Sequence, residues 1–581
     1  MTVHLVSNLL TFLFFSGILL GSIAVAQSSG EGLEKKPNIV VIYTDDQRWD
    51  TVEFMPTVKK LAREGVTFTN SFVTTPLCCP SRASFLTGQY AHNHGVLTNE
   101  PPHGGAPKFN DTETLATALQ KAGYVTAYVG KYLNAYQRIS PYIPPGWDHW
   151  YAFDKPGYYS YTLNENGIIN KYGNSPSDYS TDVIAERATE LIAAMKTPFF
   201  LMVAPTAPHV DDGSVIPAPR HQGTCDLELP RPSNFNEEDV SDKPKWIQEQ
   251  PKMGPGKIAD VDLFRRQQIC SLKAVDDAVA KIIDALGSEI KNTVILFTSD
   301  NGITWGEHRI GSKQKGSIKD CIYEECIRVP LVLYYPDLIK VSKQVDEFVL
   351  NIDIAPTMAE IAGARLRGVD GSSLLPLLTG EDIKWRDAIL LEYYLRHGYY
   401  SAAVRTENYK YVELGTGENE LYDMVNDPYE LRNIVTDQSY QSVIMSLKER
   451  LEQLKLAGSG ALIHLPPGFT TIEVSNTSIV NMDNKKIKIY VGNDVLVQSS
   501  LENKLNETQV LVYIVQIKDE EGYTVSLSWI ESNLQDSQSM KAAIPWTPDL
   551  SGDYTAEILV WNRVSNPTPL SPVIKMNFIV G

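Results

Sequence analysis

The sequence predicts an α/β protein: a doubly wound sheet between helices, then a small antiparallel-sheet subdomain, then a β-sandwich. Three observations carry this. Short, β-branched, almost unbroken apolar runs recur through residues 38–335; such runs read as strands buried on both faces. Helix-like stretches closed by glycine alternate with them, as in a doubly wound sheet. Beyond residue 385 the texture changes to alternating strands separated by Gly, Pro, Asn and Asp.

Taken in order, residues 1–26 are an export segment and 27–36, ending "LEKK", a polar linker. The first strand is "NIVVIYT", residues 38–44. "MPTVKKLAREG" and "TETLATALQKAG" are helices, each closed by Gly. "YVTAYVG", "PFFLMVAP", "NTVILFTSD" and "VPLVLYY" are further buried strands. Residues 37–384 make the α/β domain. The subdomain, 385–460, has short strands in "AILLEYY", "YYSAAVRTENYKYVELG" and "ENELYDM", then an amphipathic helix over "YQSVIMSLKERLEQLKLAG". In 466–581, "KIKIYVG", "QVLVYIVQIKD", "TVSLSWIES", "DYTAEILVWNRV" and "VIKMNFIVG" read as sandwich strands.

At 581 residues the chain exceeds the usual single-core size, so more than one domain is expected. Its 43% hydrophobic and 21% charged residues describe a globular protein. A net charge of −18 argues against nucleic acid as a partner but leaves room for a small basic pocket. Leu9–Ala26 is an uncharged apolar run, with Ala24 and Ala26 placed as in a signal-cleavage site before Gln27. It is also long enough to anchor in a membrane if left uncleaved. Either way the remaining chain is secreted or extracytoplasmic. Asn110, Asn476 and Asn506 open N-x-S/T sequons. Six cysteines do not make a disulfide scaffold in so long a chain. Cys321 and Cys326 are close enough to bridge, and Cys225 with Cys270 is another option; the sequence leaves connectivity open.

Two strands end in acids. One delivers Asp45 and Asp46, the other Asp300 and Asn301. Ligands of open α/β sheets bind beyond the carboxyl ends of strands. Three carboxylates and an amide oxygen are a hard donor set, suited to Ca²⁺ or Mg²⁺. Between these strands lies "PLCCPSRASFLTGQYAHNHG", with Cys78 and Cys79 adjacent. Neighbouring cysteines rarely bridge to each other. Either one is buried and the other partnered, or one is converted into another group.

"CCPSRASFLTG" resembles the sulfatase signature C-x-P-S-R-x-x-x-L-T-G at every fixed position. The resemblance runs from about Asn38 to Val435. It implies an alkaline-phosphatase-like fold, with Cys78 oxidised to Cα-formylglycine by a maturation enzyme. It implies one divalent cation, usually Ca²⁺, on Asp45, Asp46, Asp300, Asn301 and the converted Cys78. "GYVTAYVGKYLN" matches a second signature and places Lys131 as a sulfate-binding lysine. "APTAPH" places His209 as the active-site histidine, and "KDCIYEECIRVPL" places Lys319 as the second sulfate lysine. Arg82 is the signature arginine, and "WGEH" contributes His308.

Many sulfatases carry a histidine two residues after the first sulfate lysine; here Leu133 stands there, followed by Asn134. "GKYLN", "PPGWDHWYAF" and "YYSYTLNENG" resemble the N-acetylglucosamine-6-sulfatases and the extracellular endosulfatases. His92, His94 and Asn134 are then candidates for the missing group or for substrate binding. The implied reaction is hydrolysis of a 6-O-sulfate on an N-acetylglucosamine-type sugar or a glycosaminoglycan-like glycan. A divalent cation with Arg82, Lys131 and Lys319 cancels the ester's charge. Hydrated formylglycine offers one hydroxyl to attack sulfur and a second to expel sulfate. His209, or else His308, protonates the leaving alcohol. The alternatives are an arylsulfatase, a phosphonate monoester hydrolase, or a carbohydrate-binding protein that keeps Cys78 as a thiol.

Overall fold

The computed structural model describes residues 36–211, 213–225, 229–311, 319, 321–381, 383–394, 400–456, 472–504, 508–520, 524–535, 537–561, 570–571 and 573–581. The expected export segment, residues 27–35 of the linker, Asn506 and the 457–471 stretch lie outside these.

Ten strands form one mixed sheet: β1 Asn38–Thr44, β2 Val66–Phe68, β3 Val125–Gly130, β4 His149–Lys155, β5 Thr162–Glu165, β6 Ile168–Lys171, β7 Phe199–Ala204, β8 Thr293–Ser299, β9 Leu331–Tyr334 and β10 Lys343–Val345. Their spatial order is β10-β2-β9-β8-β1-β7-β3-β4-β5-β6. The block β8-β1-β7-β3-β4 is parallel. The run in "VPLVLYY" is buried like the others, yet β9 lies antiparallel to β8 and to β2. β4, β5 and β6 form an antiparallel meander at the other edge.

Burial on both faces explains the unbroken apolar runs. Along β1, Ile39, Val41 and Tyr43 enter one core and Val40 and Ile42 the other. The first core is covered by α2 (Cys78–Thr87) and α3 (Leu115–Lys121). The second is covered by α1 (Pro56–Glu64), α4 (Ser180–Ala194) and the 32-residue α5 (Pro255–Leu286). Each fully buried Val, Ile or Leu side chain contributes about 1.5–3 kcal/mol, so these two layers dominate the stability of the sheet. Among the described residues no helix is long and apolar enough to cross a membrane.

A four-stranded antiparallel sheet follows: β11 Ala388–Tyr394, β12 Tyr400–Thr406, β13 Tyr409–Glu413 and β14 Glu420–Asp423. Helix α6, Gln441–Leu456, inserts Leu447 and Leu451 into the core beneath it. Seven more strands make two antiparallel sheets around one further core. They are β15 Ile472–Asn481, β16 Val495–Asn503, β17 Gln509–Lys518, β18 Thr524–Leu534, β19 Ser539–Trp546, β20 Gly552–Trp561 and β21 Ile574–Val580. The expected strand "KIKIYVG" is not one of them: only Ile489 makes an isolated bridge, to Val580. Its alternating pattern came from lysines exposed in an irregular segment. The strand before it, β15, is largely polar and half-exposed, so it gave no such signal.

Both disulfides left open by the sequence form: Cys225–Cys270 and Cys321–Cys326. Cys78 and Cys79 remain free thiols, both fully buried.

Candidate active site

The carboxyl ends of β1, β3, β7 and β8 converge with the start of α2. Asp45 and Asp46 follow β1, Lys131 follows β3, and Asp300 and Asn301 follow β8. Cys78 is the first residue of α2, and Arg82 lies one turn further on the same face. Pro80 is tolerated because a helix's first turn has no internal acceptor for its missing N–H. Every residue of α2 is buried, so this segment is core as well as site.

The chain makes sharp turns to bring these groups together. Gly130, at φ +121°, is followed by Lys131, whose N–H donates to the Ala204 carbonyl at 2.7 Å. A Cβ on Gly130 would stand 2.0 Å from that carbonyl oxygen, so only glycine fits. Asp46 itself has φ +63°, a conformation an L-residue keeps only when its surroundings enforce it. Its N–H donates to Asp300 Oδ1 at 3.0 Å.

Around Cys78 the charges are dense. Lys319 Nζ donates to the Cys78 sulfur at 2.7 Å and to Asp46 Oδ1 and Oδ2 at 2.7 and 3.0 Å. Lys131 Nζ is ion-paired with Asp45 and lies 3.7 Å from the same sulfur. The thiol lies 3.5 Å from Asp45 Oδ1. Arg82 Nε donates to Asp300 Oδ2 at 2.8 Å, and Nη1 to the Lys131 carbonyl at 2.7 Å. Asn301 Nδ2 donates to Asp46 Oδ1 at 2.7 Å. His209 is half-buried, with Nε2 3.6 Å from Asp46 Oδ2.

These contacts set the protonation states. Burial would raise the Asp45 carboxyl, but Lys131, His209, Arg82 and Lys319 hold it well below the usual carboxylate range. Burial raises Asp46, with Asp45 adding to the effect and Lys319 opposing it. Asp300 is pushed up to about 6 by burial and by Asp45, against the pull of Arg82. Burial raises the Cys78 thiol, so it is protonated at neutral pH. Burial lowers His209 to about 3, which keeps its ring neutral.

The carboxylate and amide oxygens suit a hard cation; the Cys78 sulfur and the His209 nitrogen beside them are softer donors. Oxygens of Asp45 and Asp46, the Cys78 sulfur and a His209 nitrogen lie within 4.8 Å of one another. Asn301 Oδ1 is buried with no hydrogen-bond partner, an orphan acceptor of the kind a cation satisfies. Asp45, Asp46, Cys78, Arg82, Lys131, His209, Lys319, Asp300 and Asn301 therefore share one constellation.

The other sequence candidates sit differently. His308 Nδ1 is bonded to Glu237 Oε2 at 2.6 Å, its Nε2 lies 3.2 Å from Asn234 Nδ2, and its ring stacks on Tyr323. It belongs to a buried polar network beside the cluster. His92 Nδ1 is bonded to Glu392 at 2.8 Å. His94 accepts from the Val96 N–H at 3.1 Å, and its Nε2 lies 3.0 Å from the Ser84 hydroxyl. Those bonds tie both rings to their own surroundings. Leu133 is packed in the first core, and Asn134 keeps a buried Oδ1 without a partner. Tyr158 opens the segment "YYSYTLNENG", but its role was not legible there: its hydroxyl donates to the His209 carbonyl at 2.9 Å; Glu237 carried no signal at all. Their partners are 51 and 71 residues away, so no local pattern reveals them.

The chain is similar to several known proteins. A family profile described as Sulfatase matches residues 37–364, and one described as N-sulphoglucosamine sulphohydrolase, C-terminal, matches 314–457. The human N-acetylglucosamine-6-sulfatase is 36% identical over 384 residues, 62% of this chain and 67% of that one. An extracellular sulfatase Sulf-1 homologue of Caenorhabditis elegans is 36% identical over 400 residues, 64% of this chain. The chain spans about half the length of this nematode relative, 55% of it. A solved structure described as a complex with its substrate D-glucosamine-2-N,6-O-disulfate superposes with a TM-score of 0.65 at 26% identity. It covers 74% of this chain and 99% of its own.

Proposed function

The chain belongs to the sulfatase family, and from that premise we propose that it is an exported hydrolase of 6-O-sulfate esters on N-acetylglucosamine-type sugars. It works with formylglycine made from Cys78 and one divalent cation of the Ca²⁺ type. The observation that carries the reading is the convergence of two ammonium groups, Lys131 and Lys319, on the Cys78 side chain. Two fixed cations beside a buried side chain suit an anionic ester held for attack at that position.

Formylglycine supplies a hydrated aldehyde as nucleophile, and the cation, held by Asp45, Asp46, Asp300 and Asn301, supplies neutralising charge. The protein's own groups do the rest. Lys131 and Lys319 donate hydrogen bonds to sulfate oxygens and bring the sulfur to the position of residue 78. Arg82 holds Asp300 in place and adds positive charge without touching solvent. His209 is the half-exposed member, placed to hand a proton to the leaving alcohol. Burial keeps its ring neutral, and an anionic ester alongside favours its charged form. The identity of the human relative and the disulfated-glucosamine ligand of the structural neighbour support the sugar substrate.

The test is kcat/KM of matured protein on N-acetylglucosamine 6-sulfate against nitrophenyl sulfate, with mass analysis of the Cys78 peptide. Higher kcat/KM on the sugar, with an aldehyde at Cys78, is expected. Preference for the aryl ester with no sugar turnover would overturn the substrate, and full activity with an intact thiol would overturn the nucleophile.

A further inference from the structure

The short loop closed by Cys321–Cys326 reaches three separate pieces of the site. At its start, the Cys321 N–H donates to the carbonyl of Lys319 at 2.8 Å. At its end, the Cys326 carbonyl accepts from the Gly302 N–H at 2.8 Å, one residue beyond Asn301. The next carbonyl, of Ile327, accepts from the Val73 N–H at 2.8 Å, on the chain that leads into Cys78. A Cβ on Gly302 would stand 2.1 Å from the Glu325 carbonyl oxygen, so the loop and the cation-site turn touch backbone to backbone.

The loop is fastened from outside as well. The Tyr323 hydroxyl donates to Glu420 at 2.8 Å, and the Glu324 N–H to Glu430 at 2.9 Å. Both acids are buried. Glu430 pairs with Lys410, whose Nζ also donates to the Ile322 carbonyl at 2.9 Å. The small antiparallel sheet thus grips the same few residues.

A disulfide five residues apart closes little chain, so it adds less global stability than a long one. The Cys225–Cys270 bridge, 45 residues apart, is the global staple. What the short bridge does is fix the two ends of this loop relative to each other. One end leads to Lys319, and the other bonds to Gly302, beside Asn301, and through Ile327 to Val73, on the strand side of the segment that leads to Cys78.

We propose that the Cys321–Cys326 disulfide is a positioning element: it sets the place of the Lys319 ammonium relative to residue 78 and the cation ligands. Lysine has four rotatable side-chain bonds and is costly to fix. A rigid anchor two residues from its backbone lowers the freedom that sulfate binding must remove. The proposal rests on the sulfate-site reading above for its functional consequence, though not for its structural one.

The test uses full-length matured protein with both cysteines replaced, Cys321→Ser with Cys326→Ser. KM for a small sulfate ester and the inhibition constant of inorganic sulfate should each rise about tenfold, with kcat changing far less. In a Lys319→Ala background the same replacement should have no further effect on either constant. Deuterium uptake should rise in the peptides carrying the Cys321, Gly302 and Val73 amides, whatever the substrate proves to be. Unchanged constants in the double replacement, or an equal loss with and without Lys319, would overturn the proposal; so would unchanged uptake. If Lys319→Ala alone leaves both constants untouched, the sulfate-site reading fails, and the exchange measurement still decides the positioning role.

Discussion

Arg82 and Asp300 form an ion pair, Nε to Oδ2 at 2.8 Å, with the arginine side chain 2% exposed and the aspartate sealed. Removing one partner of such a pair leaves an uncompensated buried charge, at a cost of about 3–5 kcal/mol. Arg82→Ala should therefore lower unfolding stability by roughly that amount, as well as activity. Arg82→Lys keeps the charge but cannot span both Asp300 and the Lys131 carbonyl, so it should fall between. Urea denaturation of both variants measures this, and Arg82→Ala matching the parent would contradict the pairing.

The same pair dictates how the cation site is probed. Asp300→Ala would strand Arg82, whereas Asp300→Asn keeps volume and one hydrogen bond. Asp300→Asn and Asn301→Ala should each raise the Ca²⁺ concentration for half-maximal activity by tenfold or more. Chelation should abolish turnover in the parent and lower Tm. A cation at 100 times its Kd adds about 2.7 kcal/mol to the folded state. Full turnover after exhaustive chelation would remove the cation from the mechanism.

The His92–Glu392 pair predicts a pH dependence of stability. Glu392 accepts from His92 and from the Tyr394 and Tyr400 hydroxyls; Tyr90 stacks on the ring, and Asp370 adds charge. Burial alone would lower His92, but Glu392 raises it above its ordinary 6.5. The stabilisation is complete below that value and is lost as pH climbs through the raised folded value. His94 acts in the opposite direction. Burial lowers it to about 3, so the unfolded chain takes up a proton below 6.5 that the folded chain refuses, and stability falls with acidification. The Tm gap between the parent and His92→Gln should be wider near pH 6 than near pH 9. A gap independent of pH would show that the pair carries no proton linkage.

The two cysteines should prove chemically unequal. Cys78 faces Lys131 and Lys319, whereas Cys79 packs in the first core, where burial pushes its thiol up to about 12. Cys79→Ala should cost about 1 kcal/mol of packing and leave turnover intact. Cys78→Ser should abolish it. Aldehyde labelling with peptide mass analysis reads both, and an aldehyde at residue 79 would reverse the assignment.

Much of the sheet was legible because β1, β3, β7, β8 and β9 are buried on both faces and read as unbroken apolar runs. An acid after a strand often only caps a helix or shapes a turn; those at the ends of β1 and β8 were legible because two strand ends carry them with the cysteine segment between. α5 was not legible, although it is the longest described helix: its buried stripe from Val261 to Leu286 is interrupted by the polar side chains of Arg265, Gln268 and Asp276. Exposed β15 and the irregular segment "KIKIYVG" exchanged appearances, since alternation records exposure rather than pairing. His308 illustrates the limit at the site itself. Its motif was visible, but its bond to Glu237 was not, because pairing across 71 residues is written only in the folded chain.

Under the proposed conversion of Cys78, its complete burial turns maturation into a question of timing. Its residue has no exposed surface, and the helix it begins is core throughout. Any catalyst that modifies the thiol must meet it before β1, α2 and β8 close around it. A chain that folds first is then sealed in its unconverted form, with an assembled pocket and no means of turning over. On that proposal the fraction of competent molecules is set by a race between collapse and modification.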